Sequence, residues 1–448
     1  LDISTLIPSF GSGALTVVWF VVALSIIVAI HEYGHYIVGR WSGIGADVFS
    51  IGFGPVLWSR VDKRGTQWQL AAIPLGGYVK FKGDANAASG KDGEAMAEMS
   101  DAERRATMHG APLWARAATV LAGPVFNFIL SLIIFAAVMM SNGQVGDKLI
   151  VGDMRELPNA PYTLQEGDVV RAINGETLPS FDEPGAFDDF WDEMAKQDPL
   201  PYVVGRAGEE IEVSGPYLYP PMVLSLAPRS AAYNAGLEVG DVFTAIDGTP
   251  IVAFSELKEA VESGEGRTLL LTVQRDGEAQ EFALTPRRVD EPQADGGFVT
   301  NWRIGIGGGL AFEPATEALP FGDAVVAGAR QTVRIMEGSL SGLYHMVTGA
   351  ISSCNLSGPV GIAQTSAAMA SQGTQSFIWF IAVLSTAIGL LNLFPIPMLD
   401  GGHLVFYAYE AVAGRPPADG VLRVLMMGGL MIVLGMMLFG LTNDLFCP

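Results

Sequence analysis

His31, Glu32 and His35 stand together in the run HEYGH. On a helix, residues i and i+4 lie one above the other, so the two imidazoles share a face. Both can then bind one zinc ion, with the intervening carboxylate beside it as general base. The chemistry open to such a set is metal-assisted hydrolysis, in which Glu32 takes a proton from water and passes it to a leaving nitrogen. The five-residue pattern can also occur on an ordinary polar helix. Here it sits in VVWFVVALSIIVAIHEYGHYIVGRW, residues 17–41, whose first half is apolar enough to enter a bilayer. A hydrocarbon core penalises ionisable side chains, so three of them there need a reason.

A catalytic zinc generally takes three protein ligands and leaves its fourth position to water. The run GLLNLFPIPMLDGGHLVF, residues 389–406, offers a third ligand. Pro395 and Pro397 break a helix there, Asp400 follows, and Gly401 and Gly402 permit close backbone approach. A broken helix at membrane depth is tolerated only where it lines a cavity or is buried in protein, which fits Asp400 as a ligand. Asn392 lies in the same break. It could donate to a substrate carbonyl, or cap backbone that the prolines free. His403 reads as a packing residue or as a support for a ligand.

The elements that must position these residues are mostly membrane spans. The chain has 448 residues, room for two or three domains, and is 50% hydrophobic but only 16% charged. Its net charge of −21 argues against nucleic acid as a partner. Cys354 and Cys447 form neither a disulfide framework nor a CxxC metal site, and as sequence they say almost nothing about redox compartment. Four stretches have the length and composition of spans: residues 15–38, 118–140, 377–395 and 421–441. No basic segment with a cleavage site precedes the first, which reads as retained. Arg40, Arg60, Lys63, Arg64, Arg104 and Arg105 place the first loop in the cytoplasm, with both termini and residues 142–375 outside.

The cytoplasmic loop has strand-like runs around 52–54, a KRG turn, and a second apolar run ending PLGGYVKF. These suggest hairpins, either dipping into the membrane or forming a soluble β-subdomain. Residues 83–105 read as a mobile loop. Outside, LQEGDVVRAINGETLPSF from Leu164 is echoed by LEVGDVFTAIDGTPIVAF from Leu237, about 73 residues on. The N-G and D-G pairs signal hairpin turns. MVLSLAPRSAAYNAGL before the second copy, and SELKEAVES and RTLLLTVQRDG after it, give the element order of a circularly permuted bacterial PDZ domain. The first copy is more degenerate, with a longer helical stretch at FDDFWDEMAK. Such modules either capture peptide ends by strand addition or only block access. Amphipathic runs between 313 and 375 read as helices on the outer membrane surface or in a soluble bundle. The expected divisions are 1–42, 43–112, 113–141, 142–220, 221–292, 293–375 (amphipathic linker helices), 376–405 and 406–448.

HEYGH, NLFPIPMLDG, the PDZ-like modules between them, AGPVFNF at 122–128 and NLSGPVGIA at 355–363 together resemble the site-2 protease family. The likeness is to its regulator-of-sigma-E protease branch, which has two PDZ domains. It implies a polytopic α-helical membrane protein with four transmembrane helices, a membrane-associated β-hairpin region and two extracytoplasmic α+β PDZ-like domains. It also implies Zn2+ held by His31, His35 and Asp400, with Glu32 as general base. Candidate substrate contacts are Asn392, Pro397, Gly52 and Gly54, the glycines marking a strand edge along which an unwound substrate could pair. Implied partners are single-pass transmembrane proteins such as a pre-cleaved anti-sigma factor, signal-peptide remnants, peptide ends at the PDZ-like modules, and the lipid of a bacterial inner membrane. Rival readings are a catalytically inactive PDZ scaffold, a metal or proton transporter, and a membrane-anchored enzyme with its third ligand in a soluble domain. The intact set of His31, Glu32, His35 and Asp400 weighs against the scaffold.

Overall fold

The computed structural model describes residues 6–85, 96–146, 148–158, 162–179, 190, 194–293 and 297–447. Two compact units result, one from Leu1–Val138 with Phe321–Pro448, the other from Met139–Pro320.

The first unit is built of α1 (Leu6–Trp41), α2 (Leu113–Asn142), α3 (Phe321–Val347), α4 (Pro359–Ser371), α5 (Thr374–Asn392), α6 (Asp400–Ala413) and α7 (Asp419–Phe446). Among the described residues, four segments are long and apolar enough to cross a membrane: Gly13–Trp41, Leu113–Asn142, Thr374–Asn392 and Gly420–Phe446. Lipid tails are as apolar as leucine, so such helices associate through close packing and hydrogen bonds. Gly34 of α1 lies against the Ala122 carbonyl of α2, where a Cβ would come within 2.6 Å. The Ser131 hydroxyl of α2 donates to the Ala382 carbonyl of α5 at 2.8 Å. Arg116 of α2 pairs with both carboxylate oxygens of Glu410 on α6, at 3.0 and 2.6 Å. The third span stops at Asn392, earlier than the expected 395, because the prolines that follow cannot continue a helix.

Between α1 and α2 the expected hairpins form one continuous element. Strands β1 (Ala46–Val61) and β2 (Gln67–Phe81) are antiparallel, and each folds back on itself. Run 48–51 of β1 therefore has β2 on both sides: Ile51 pairs with Gly77 and with Leu70. Gly52 and Gly54 make the bend, at φ of 90° and 82° that only glycine adopts freely. Phe53, Val56, Leu57, Trp58, Ile73 and Leu75 are exposed on it. Residues 86–95 of the expected mobile loop lie outside the described residues, but its end is ordered as helix Asp101–Arg105, held by a Ser100–Glu103 capping box.

The two cysteines require a correction. Cys354 and Cys447 are 93 residues apart yet form a disulfide, with Cα atoms 5.6 Å apart. The end of α7 is drawn to that loop by polar contacts: Asn443 Nδ2 donates to the Ser353 carbonyl at 2.8 Å, and Asp444 accepts from the Gly358 and Gly361 amides at 3.0 and 2.9 Å. Spacing in sequence carries no trace of this encounter.

The second unit contains two four-stranded antiparallel sheets of the same order. The first comprises β3 (Val169–Ile173), β4 (Glu176–Thr177), β5 (Leu200–Arg206) and β6 (Glu209–Gly215), ordered β4-β3-β5-β6. The second comprises β7 (Val242–Ile246), β8 (Thr249–Pro250), β9 (Leu269–Arg275) and β10 (Glu278–Leu284), ordered β8-β7-β9-β10. The repeated G-D pair has one job in both. Asp168 and Asp241 are buried; each caps its own turn and takes two hydrogen bonds from an arginine at the end of the third strand in order, Arg206 or Arg275. Burial pushes the Asp168 carboxyl up, but the Arg206 hydrogen bonds outweigh it and hold it below the usual carboxylate range. The helix read into FDDFWDEMAK, residues 187–196, falls outside the described residues except at 190 and 194–196.

Residues 297–317, read from sequence as the start of a helical linker, are strands and turns; helix begins only at Phe321. Their pairing partners lie far back in the chain, which local periodicity cannot show. Ile306 and Gly307 pair with Leu226 and Ser225 beside the second sheet. Phe312 and Pro314 then pair with Met154 and Val151 beside the first. Ala311 and Phe312 are fully buried in the first sheet's core, with Leu149, Tyr202 and Leu218. The first core is thus closed by chain that follows the second. Deleting a fully buried phenylalanine ring costs about 3–5 kcal/mol. Phe312→Ala should therefore destabilise a 139–320 fragment by that amount in urea unfolding, and a 143–220 fragment should not fold cooperatively. Cooperative folding of 143–220 alone would contradict the nested arrangement.

Candidate metal centre

His31 and His35 sit one turn apart on α1, in the half that follows the most apolar stretch. Asp400 is the first residue of α6, reached through a tight reversal after α5. Met398 in that reversal holds φ of 87°, a left-handed conformation that side chains other than glycine seldom adopt. Gly401 and Gly402 press on the carbonyls of Leu393, Phe394 and Ile396, where a Cβ would come within 2.3 Å. Prolines, strained residue and glycines together aim the carboxylate back at α1.

Three atoms converge. His31 Nε2 lies 3.2 Å from Asp400 Oδ2, His35 Nε2 lies 3.5 Å from the same oxygen, and the two Nε2 atoms are 3.2 Å apart. Among the described residues this is the one group of three or more such side chains close enough to share a metal ion. Tetrahedral zinc bonds of about 2.0–2.1 Å set ligand atoms roughly 3.3 Å apart, which matches the observed triangle. Asp400 Oδ2 is buried with only the two imidazole nitrogens against it, an expensive place for a carboxylate oxygen unless positive charge faces it. The set fits zinc.

Glu32 interacts electrostatically with His31, His35 and Asp400 and accepts a hydrogen bond from the Val79 backbone amide of β2. Gly77 makes room for it: a Cβ there would lie 3.1 Å from Glu32 Cγ. The hairpin edge at 77–81 therefore borders the carboxylate.

The remaining sequence candidates have local roles. Asn392 donates to the Ile388 carbonyl at 3.1 Å, the backbone cap considered above. Pro397 packs against Gly429 of α7. Gly52 and Gly54 form the β1 bend. The His403 ring meets Phe406 edge-on, with centroids 6.1 Å apart.

Sequence reading missed the contribution of α2. Thr119, Gly123 and Asn127, four residues apart, line one face of it. The Thr119 carbonyl meets His35 Nδ1 at 2.8 Å, and Asn127 Nδ2 lies 3.3 Å from His31 Nδ1. Between them Gly123 lets the backbone lie over both rings, since a Cβ would fall 2.3 Å from His35 Nε2. The available signal was an asparagine within an apolar span.

Comparison with known proteins follows the same lines. The family model described as Peptidase family M50 matches residues 19–436. "Putative zinc metalloprotease Atu1380" of Agrobacterium fabrum is 36% identical over 445 residues, covering 97% of each chain. "Putative zinc metalloprotease R01501" of Rhizobium meliloti is 35% identical over 431 residues and 96% of each chain. With its histidine pair, Asp400 and four apolar helices all inside the matched span or flanking it, the chain belongs to peptidase family M50.

Proposed function

We propose that the protein is an intramembrane zinc metalloprotease that cuts single-pass transmembrane substrates, in the manner of the regulator-of-sigma-E branch. The observation that carries this reading is the convergence of His31, His35 and Asp400 within helices long and apolar enough to cross a membrane. The relatives' names specify zinc, and the donor triangle suits it.

Zinc held by these three side chains supplies a polarised carbonyl and a more acidic water. Glu32, adjacent in sequence and tethered by the Val79 amide, would take a proton from water at that centre and return it to the leaving nitrogen. A transporter reading would also account for buried imidazoles and a carboxylate; the relatives' metalloprotease names, with a carboxylate at Glu32 outside the donor triangle, support the protease reading instead. The two sheets of the second unit are read as PDZ-like modules outside the membrane, where they filter substrates or bind peptide ends. The Cys354–Cys447 disulfide supports that placement of α7's end, because disulfides persist in oxidising compartments.

Purified wild type and Glu32→Gln, each assayed for zinc, should both hold about one equivalent. Only wild type should cleave a single-pass substrate already trimmed of its outer domain, the variant losing at least about 100-fold in rate. Cleavage by Glu32→Gln at the wild-type rate would refute its role as base; absence of zinc from wild type would refute the centre. For orientation, a membrane-impermeant thiol reagent applied to intact cells should label Cys354 and Cys447 only after reduction. Labelling that needs lysis as well as reduction would put α7's end in the cytoplasm and reverse the topology.

A further inference from the structure

We propose that Asn127 is a positioning residue that fixes the proton of His31 and so sets the affinity of the metal centre; this rests on the zinc reading above. The Asn127 side chain is wholly buried, its Nδ2 lies 3.3 Å from His31 Nδ1, and its Oδ1 has no hydrogen-bond partner. An imidazole that gives Nε2 to a metal carries its proton on Nδ1, and the acceptor placed there fixes the tautomer and ring orientation. His35 has such an acceptor in the Thr119 carbonyl, 2.8 Å from its Nδ1. Among the described residues, no backbone carbonyl takes that role for His31. A half-turn of the Asn127 terminal torsion sets Oδ1 against His31 Nδ1–H and ends the isolation of that oxygen. The two acceptors then come from one face of α2, one from its backbone and one from a side chain, with Gly123 between them.

The residue is held for this purpose by its own backbone. The Asn127 carbonyl accepts the Ser385 hydroxyl at 3.0 Å, and the one Ser131 hydroxyl is shared between it, at 3.0 Å, and the Ala382 carbonyl, at 2.8 Å. Gly389 of α5 keeps space beside the side chain, since a Cβ there would lie 3.1 Å from Asn127 Cβ. Asn127 thus stands where α2 and α5 are pinned together, with only its amide free to turn.

The test compares zinc affinity, by chelator competition on detergent-solubilised full-length protein, in wild type, Asn127→Asp, Asn127→Leu and Asn127→Ala. Aspartate keeps an acceptor and should bind zinc within about threefold of wild type. Leucine and alanine remove it and should weaken binding about 10–100-fold, with altered visible bands for bound cobalt. The melting temperature of the zinc-free protein should follow a different order from the affinities. Zinc binding by Asn127→Leu or Asn127→Ala as tight as wild type would overturn the proposal. So would losses of affinity that only track the zinc-free melting temperature, or an Asn127→Asp variant as weak as Asn127→Leu. His31→Ala serves as the reference: if it binds zinc as tightly as wild type, the centre itself has been misassigned and the inference falls with it.

Discussion

Two imidazoles and a carboxylate brought within 3.5 Å of one another inside an apolar helix bundle are the constraint around which the first unit is arranged. Such groups are costly away from water unless each charge and lone pair is met. The sequence meets them with unusual local structure: a proline-broken reversal carrying a left-handed Met398, two glycines pressed on carbonyls, and a glycine on α2 that admits the imidazoles against its backbone. Arg116 and Glu410 join the base of α2 to α6, so the helix that supplies Asp400 is tied to the helix that braces the histidines.

The legible part of this site was the part written locally. HEYGH reports its geometry through helical periodicity alone, and the proline break in NLFPIPMLDG marks where a carboxylate can enter a membrane bundle. What α2 contributes was not legible in the same way. The Thr119 acceptor is a backbone carbonyl and leaves no residue-type signature, and Asn127 becomes meaningful only when α1 is laid against it. Asn392 shows the converse, since its polar side chain stood out in the sequence yet caps its own helix.

The second unit teaches the same lesson about range. The G-D repeats, with N-G and D-G turns after them, announce two similar sheets because the buried aspartate and the turn lie within a few residues. The closing strand at 312–314 pairs with residues some 160 positions earlier in the chain, as Phe312↔Met154 and Pro314↔Val151 show. No periodic pattern in so short a run could indicate it. One continuous segment therefore serves both sheets in turn, through Ile306–Gly307 beside the second and Phe312–Pro314 beside the first.

Zinc-edge X-ray absorption on the purified protein reads directly which atoms hold the metal. It should show about four nitrogen or oxygen ligands near 2.0–2.1 Å, with the multiple scattering of two imidazoles and no sulfur. His31→Ala should leave one imidazole. A sulfur shell, a count of three or more imidazoles, or a spectrum unchanged in His31→Ala would contradict the assignment of His31, His35 and Asp400.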